Sequence, residues 1–213
     1  VGNAVGGIDD VDGDGVPDIV IGVPRSDANK GPGSTNEGAV FVVRQLRNGN
    51  ARYLRRIGKN DGLTGGASLN LPSSCYFGIS VAGLHDRDGD GIPELVVGGH
   101  GYDSYKGAVW VLHLTAAGQA RAVTRIDNAV MTGSPLDASD TLGIGIAAVP
   151  DINGDGTEEL AVGAYGDDDG GSGRGAVYIM FLAVVNASSA GGSVSGSGPA
   201  TQYSSHAKLS ETS

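Results

Sequence analysis

Three short stretches of this 213-residue sequence place acidic or amide side chains at alternate positions of a nine-residue loop. They read DVDGDGVPD from Asp10, DRDGDGIPE from Asp86 and DINGDGTEE from Asp151. Together with Asp9, they hold 13 of the 24 acidic residues of the chain. Oxygen donors at this spacing can surround one hard cation, whereas without a cation the carboxylates would repel one another.

The donor set of each loop predicts a calcium site. Positions 1, 3 and 5 supply side-chain oxygens, position 7 supplies its backbone carbonyl, and position 9 supplies another carboxylate. The candidate ligands are Asp10, Asp12, Asp14, Val16 and Asp18 in the first loop, Asp86, Asp88, Asp90, Ile92 and Glu94 in the second, and Asp151, Asn153, Asp155, Thr157 and Glu159 in the third. A glycine at position 6 permits the sharp turn. Because flexible sets of oxygen ligands favour Ca²⁺ over Mg²⁺, we expect three Ca²⁺ ions.

Two other kinds of loop share part of this pattern. An EF-hand requires a bidentate Glu at position 12 and flanking helices, but position 12 is Ile21, Val97 or Val162 and the following sequence is typical of strands. A dockerin-type calcium repeat needs an Asp at that position and a helix, so it fails for the same reason. A solvated acidic turn would not recur three times before the same kind of strand.

The acidic loops belong to a longer repeat that must position them. In each copy a short apolar segment precedes the loop, and an apolar segment, a variable loop, a GAV-initiated segment and a fourth short segment follow it. Four short antiparallel strands per repeat are typical of one β-propeller blade. The sequence therefore predicts an all-β protein with blades over about 1–60, 77–127 and 142–210, and a flexible Ser/Gly-rich insertion over 187–200.

Composition and charge exclude several classes of protein. The 38 glycines fit many tight turns, and the net charge of −10 argues against a nucleic-acid partner. The longest apolar run, over 176–185, is shorter than the roughly 20 residues that a membrane span needs. Cys75 is the single cysteine, so no disulfide is expected within the chain. Because no initiating Met is present, we expect the chain to continue a longer protein.

The segment FGISVAGLHDRDGDGIPELVVGG, from Phe77, resembles the FG-GAP repeat of integrin α-subunit propellers and their relatives. The first signature is intact at Phe77-Gly78, whereas the other two repeats keep only its glycine, at Gly2 and Gly143. The second signature is degenerate in all three repeats, as GVP, GGH and GAY. The resemblance covers about residues 1–182 and implies a seven-bladed propeller, whose remaining blades would be partners of this segment.

The resemblance also implies which face of the protein binds partners. In the family the calcium loops lie on the lower face, and partners usually dock on the opposite face. The loops expected on that opposite face are 25–37, 59–76, 100–106, 127–140 and 165–174. Tyr102, Tyr105 and Tyr165 fall in these loops, where they could form a binding patch or pack as ordinary side chains.

No catalytic constellation accompanies the acidic loops in the sequence. The four histidines share neither a metal-ligand spacing nor a triad pattern, so we expect no enzyme. We expect a calcium-binding extracellular or cell-surface scaffold, structural or adhesive, whose partners are other extracellular proteins or glycans. The alternatives are an accessory propeller of a secreted, phospholipase D-like enzyme and a lectin-like carbohydrate-binding propeller. The Asn186-Ala187-Ser188 sequon predicts glycosylation of Asn186.

Overall fold

The computed structural model describes residues 2–27, 35–61, 63–64, 68–133, 135–186, 194–196 and 199–210. These residues form thirteen β-strands and one helical turn, α1 (Tyr102–Tyr105). The strands are β1 (Ala4–Ile8), β2 (Asp18–Val23), β3 (Ala39–Gln45), β4 (Ala51–Gly58), β5 (Val81–Leu84), β6 (Glu94–Gly98), β7 (Val109–Leu114), β8 (Ala120–Ile126), β9 (Leu142–Val149), β10 (Glu159–Ala164), β11 (Ala176–Asn186), β12 (Val194–Gly196) and β13 (Pro199–Ser210).

The strands form three antiparallel sheets that follow the chain order. The first sheet is β1-β2-β3-β4, the second is β5-β6-β7-β8, and the third is β9-β10-β11-β13. The short strand β12 pairs with β8 and so adds a fifth strand to the second sheet. The prediction of an all-β fold with four-stranded antiparallel blades is confirmed. Each acidic loop connects the first strand of its sheet to the second.

The predicted insertion over 187–200 lies only partly within the described residues. There, 194–196 form β12 and β13 begins at Pro199. Residue Asn186 ends β11, while its side chain and the rest of its sequon, 187–188, lie outside the described residues. The flexible insertion and the glycosylation of Asn186 both stay predictions.

The burial of the strands follows from the stacking of the sheets. Strand β2 alternates between buried and half-buried residues, whereas every residue of β6 and β7 is buried. One core, which includes Cys75, Phe77 and Trp110, lies between the first two sheets. A second core, which includes Val96 and Leu160, lies between the second and third sheets. The middle sheet therefore packs apolar side chains on both faces. In the first core, burial raises the pKa of the Cys75 thiol to about 12.

Glycines bring neighbouring sheets into backbone contact. Gly38 pairs with Phe77 in a parallel bridge, and an equivalent bridge joins the second sheet to the third. A Cβ atom on Gly98 would lie 2.0 Å from the carbonyl oxygen of Gly143 in the next sheet. Because no side chain fits at these points, the two glycine signatures of the repeat mark the contact between one blade and the next.

The helical turn α1 lies in the loop that follows β6. Asp103 and Ser104 inside it have positive φ angles of 44° and 59°, so the turn does not extend into a regular helix. Within the described ranges, no helix is long and apolar enough to cross a membrane.

Candidate metal centre

The first aspartate of each acidic loop organises the loop backbone. Asp10 Oδ1 accepts hydrogen bonds from the N–H groups of Gly13 and Asp14 at 2.8 and 3.1 Å, and its Oδ2 accepts one from Gly15 at 2.6 Å. Asp86 and Asp151 accept the same three bonds, at 2.6–3.2 Å. The three loops therefore share one backbone conformation, which the spacing of their residues predicts.

Glycines at positions 4 and 6 permit this conformation. In the first loop, Gly13 and Gly15 have φ angles of 77° and 79°, in the left-handed region that side chains disfavour. The corresponding glycines of the other loops have φ angles between 80° and 87°. The glycine at position 6 was predicted from the sequence, whereas the glycine at position 4 was not. The signal was present, because a glycine also occupies position 4 in all three copies.

The carboxylate at position 9 ties each loop to the second strand of its sheet. Asp18, Glu94 and Glu159 begin β2, β6 and β10, and each is at most 2 % exposed. One oxygen of each accepts a hydrogen bond from the N–H group at position 2, at 3.1, 2.7 and 2.8 Å respectively. In the first loop, the other oxygen of Asp18 accepts a hydrogen bond from the N–H group of Gln45 on β3, at 3.0 Å.

The fold brings the acidic side chains of each loop together. In three groups, one carboxylate oxygen from each residue lies within 4.8 Å of the others. The groups are Asp10, Asp12 and Asp18; Asp86, Asp88, Asp90 and Glu94; and Asp151, Asp155 and Glu159. Asp14 lies outside its group and pairs with Arg44 at 2.8 Å, while Asn153 Nδ2 donates to Asp155 at 2.9 Å. The carbonyl ligands at position 7 stay predictions.

Two buried carboxylate oxygens lack a hydrogen-bond partner among the described residues, namely Asp12 Oδ1 and Glu159 Oε1. Asp12 is at position 3 of the first loop and Glu159 at position 9 of the third. Leaving a buried carboxylate oxygen unpaired costs at least about 1–3 kcal/mol. A bound cation would supply the missing partner, so the residues present fit a site for a hard divalent ion.

Burial and nearby cations change the acidity of these carboxylates in opposite directions. Burial raises the pKa values of Asp18 and Glu94 at position 9. The hydrogen bond from Arg44 lowers the pKa of Asp14 at position 5. Arg44 therefore compensates negative charge at position 5 of the first loop, whereas burial disfavours the charged carboxylate at position 9 of the first and second loops.

Two residues that face the loops from the third strand of their sheets were not among the predicted site residues. Arg44 on β3 contacts Asp12 at 2.6 Å, and His113 on β7 contacts Asp88 at 2.8 Å. Both residues stand six places after the glycine that precedes the third strand. The repeat alignment does not single them out, because this place holds Arg, His and Phe in the three repeats. Arg121 on β8 also contacts the second loop, through Asp88 and, at 2.9 Å, Asp90.

A buried arginine links the second loop to the third. Arg87 at position 2 donates to the carbonyl oxygens of Glu158 and Leu182 at 2.7 and 3.1 Å, and to Thr157 Oγ1 at 3.0 Å. His85, which precedes the second loop, also contacts the Glu158 carboxylate. The acidic loops therefore lie beside one another at the same end of the three sheets.

A cavity of about 630 Å³ lies at the opposite end of the strands. It is lined by Gly2, Asn3, Val23, Pro24, Arg25, Tyr76, Ile79, His100, Tyr105 and Ile144. Tyr76 stacks on His100 with ring centroids 4.9 Å apart. Of the three tyrosines in the predicted patch, Tyr105 lines the cavity, Tyr165 is exposed outside it, and Tyr102 packs against the first core.

Comparison with known protein families matches the FG-GAP repeat over residues 1–43, 77–112 and 142–180. Each matched range contains one acidic loop and the strands on either side of it. The match therefore extends to all three sheets of the structure.

Curated relatives of this chain include two kinds of protein. It is 30 % identical to "Integrin alpha-PS2" of Drosophila melanogaster, covering 75 % of this chain and 11 % of the relative, and 31 % identical to human "Integrin alpha-11", covering 74 % and 12 %. It is 32 % identical to bovine "Phosphatidylinositol-glycan-specific phospholipase D", covering 81 % of this chain and 19 % of the relative. The chain thus spans between a tenth and a fifth of the length of these relatives.

Proposed function

This chain belongs to the FG-GAP repeat family, and we propose from that premise that its three acidic loops bind Ca²⁺ and that the calcium-bound blades serve as an extracellular interaction scaffold. In each loop, the ligands are the residues at positions 1, 3, 5, 7 and 9 that the sequence predicts. The ion neutralises the clustered carboxylates and connects the first strand of each blade to the second. The blades over about 1–60, 77–127 and 142–210 are three of seven in this proposal.

One observation carries the calcium proposal. Asp12 Oδ1 and Glu159 Oε1 are buried without a hydrogen-bond partner among the described residues, inside loops whose first aspartate accepts hydrogen bonds from the loop backbone. Burying an unpaired carboxylate oxygen costs free energy, and a cation bound in the loop would supply the missing partner. Extracellular calcium modules bind with dissociation constants of about 10⁻⁴–10⁻³ M, which suits the calcium-rich exterior of cells.

Isothermal titration of calcium into the chelator-stripped chain tests this proposal. We expect three ions per chain, and we expect Glu159→Gln to reduce the number to two. Asp168→Asn is the matched control, because it also removes one negative charge but lies in an exposed loop at the opposite end of the blade. Equal binding by the wild type and Glu159→Gln would contradict the assignment of the third site.

Replacing Arg44 should strengthen calcium binding by the first loop. Arg44 contacts Asp12 and Asp14 at 2.6 and 2.8 Å, so its positive charge competes with a cation for the same carboxylates. Arg44→Gln should raise the affinity of that loop about fivefold, which corresponds to about 1 kcal/mol for a charge at this distance in a wet site. Arg52→Gln on the neighbouring strand β4 should leave it unchanged, and titration calorimetry measures both. An unchanged or weaker first site in Arg44→Gln would refute this role of Arg44.

The scaffold proposal draws on the surface opposite the loops. The integrin α relatives suggest that other extracellular or cell-surface proteins, or their glycans, bind this segment. The cavity beside Tyr76, His100 and Tyr105 supplies an aromatic, half-exposed surface of the kind that interfaces favour. A glycan array probed with the full-length protein separates the two kinds of partner, since strong selective binding would favour the lectin-like alternative.

The phospholipase D relative supports an accessory role beside a secreted enzyme as the second candidate function. In that case the segment itself holds no catalytic residue and the activity resides elsewhere in the full-length protein. Release of a glycolipid-anchored reporter from membranes by the full-length protein would favour this alternative. Absence of release would favour the scaffold.

A further inference from the structure

The residue at the place of His113 on the third strand differs in chemistry among the three blades. It is Arg44 in the first, His113 in the second and Phe181 in the third, six places after the glycine that precedes each strand. These residues occupy equivalent places, but only the second blade offers an imidazole. The second loop therefore has a donor that the other two lack.

The imidazole of His113 lies deep in the second loop. Its Nδ1 is 2.8 Å from Asp88 Oδ2 and 3.1 Å from Glu94 Oε1, and the side chains of all three residues are at most 1 % exposed. The other oxygen of Glu94 accepts the N–H of Arg87 at 2.7 Å, which holds the carboxylate in place. A nitrogen donor thus lies between the carboxylates of loop positions 3 and 9.

Positions 3 and 9 are also where the sister loops leave buried oxygens unpaired. Asp12 Oδ1 is at position 3 of the first loop, Glu159 Oε1 is at position 9 of the third, and neither has a hydrogen-bond partner among the described residues. In the second loop, the carboxylates at these two positions, Asp88 and Glu94, both contact His113 Nδ1.

The distances suit shared coordination of one ion. One ligand atom each from Asp88, Glu94 and His113 lies within 4.8 Å of the others. Neighbouring donors around an octahedral ion with bonds of about 2.1 Å lie about 3.0 Å apart, close to the two distances from His113 Nδ1. Imidazole nitrogen suits first-row transition metals, whereas oxygen-only sets suit Ca²⁺ and Mg²⁺.

We propose that the second loop, besides binding Ca²⁺, binds a divalent first-row transition ion as a mixed nitrogen–oxygen site, with His113 Nδ1, Asp88 and Glu94 as ligands, while the first and third loops are oxygen-only sites. This proposal rests on the proposed function, because it assumes that the loops bind divalent cations. Asp86 and Asp90 of the same loop lie close enough to contribute further oxygens. Arg121 contacts Asp88 and Asp90 and so partly compensates their negative charge, as Arg44 does for Asp12 and Asp14 in the first loop.

A buried histidine that only donates a hydrogen bond to Asp88 and Glu94 is the competing explanation. In that role His113 would position the two carboxylates for any ion, so its loss would weaken Ca²⁺ and transition-metal binding alike. As a ligand, it would affect transition metals selectively. The ratio of the two affinities therefore distinguishes a ligand from a positioning residue.

Electron spin echo envelope modulation on the full chain loaded with one equivalent of Mn²⁺ tests the ligand directly, because a bound imidazole nitrogen modulates the echo. We expect this modulation in the wild type and its loss in His113→Phe, which copies the third blade. Titration should show Co²⁺ binding at least about tenfold weaker in His113→Phe, with Ca²⁺ binding by the other two loops unchanged. The converse variant, Phe181→His, places an imidazole at the same position of the third blade and should create a second Co²⁺ site there.

Absence of nitrogen modulation in the wild type, or equal Co²⁺ binding by the wild type and His113→Phe, would overturn this proposal. If Ca²⁺ still bound to the loops in that case, the proposed function would stand. Failure of the wild type to bind either ion would instead refute the proposed function. The measurement on the wild type needs no variant, so poor folding of His113→Phe would not prevent a decision.

Discussion

Removal of calcium by a chelator is expected to lower the melting temperature of this chain by at least about 8 °C. With dissociation constants of about 10⁻⁴–10⁻³ M, 10 mM Ca²⁺ stabilises a folded site by about 1.4–2.7 kcal/mol. Three such sites contribute about 4–8 kcal/mol, and each kcal/mol corresponds to about 2–4 °C in a domain of this size.

Differential scanning calorimetry in 10 mM Ca²⁺ and in EDTA measures this shift. Adding Ca²⁺ back should restore the melting temperature, whereas the same concentration of Mg²⁺ should restore less, because Mg²⁺ demands a stricter octahedral geometry. A melting temperature that is the same with Ca²⁺ and with EDTA would mean that the loops are stable without an ion. The carboxylates would then have to be compensated by the protein alone.

Gly98→Ala is expected to destabilise the fold by at least about 1–3 kcal/mol, the range for overpacking at a buried contact. The new Cβ would lie 2.0 Å from the carbonyl oxygen of Gly143 and 2.3 Å from Ser80 Oγ. The hydroxyl of Ser80 donates to that same carbonyl oxygen at 2.7 Å, and Gly78 N–H donates to the Gly98 oxygen at 2.9 Å. The methyl group would therefore push apart three segments that hold the second and third blades together.

Urea denaturation followed by circular dichroism measures this loss. Gly7→Ala is the matched control, because Gly7 also lies in a strand of a blade but a Cβ there meets no atom within 4 Å. We expect the control to stay within about 0.5 kcal/mol of the wild type. A Gly98→Ala protein as stable as the control would show that the glycine signatures are not needed for contact between blades.

The loops and the strand order could be predicted because both depend on local spacing. Alternate carboxylates, the glycine at position 6 and the strand after position 9 all fall within a dozen residues. The same holds for the four-stranded unit, whose segments recur in the same order in each repeat. The sheets confirm this part of the prediction.

The residues that complete the loops could not be predicted from local spacing, because they come from distant strands. His113 reaches Glu94 across the β6–β7 pair, where the two residues are directly opposite. Arg87 reaches the third loop from the second blade, a contact over some 70 residues of sequence. Register and blade stacking decide these contacts, and neither can be read from a single loop.

The roles of the aromatic side chains also depended on packing. Tyr102, Tyr105 and Tyr165 share similar loops in the sequence, but Tyr102 packs against the first core while Tyr105 lines the cavity. Tyr76 and His100 join that cavity although neither belongs to the predicted tyrosine patch. A tyrosine in a loop can pack against the core or line a binding surface, and only its neighbours in the structure distinguish the two roles.

A crystal structure of the chain in 10 mM Ca²⁺, with anomalous diffraction recorded at long wavelength, tests the central proposal most directly. We expect an anomalous peak inside each of the first and third loops, among Asp10, Asp12 and Asp18 in one and Asp151, Asp155 and Glu159 in the other, and a third among Asp86, Asp88, Asp90 and Glu94. Ordered loops with no anomalous peak at this calcium concentration would contradict the proposal that Ca²⁺ holds the acidic loops of this chain together.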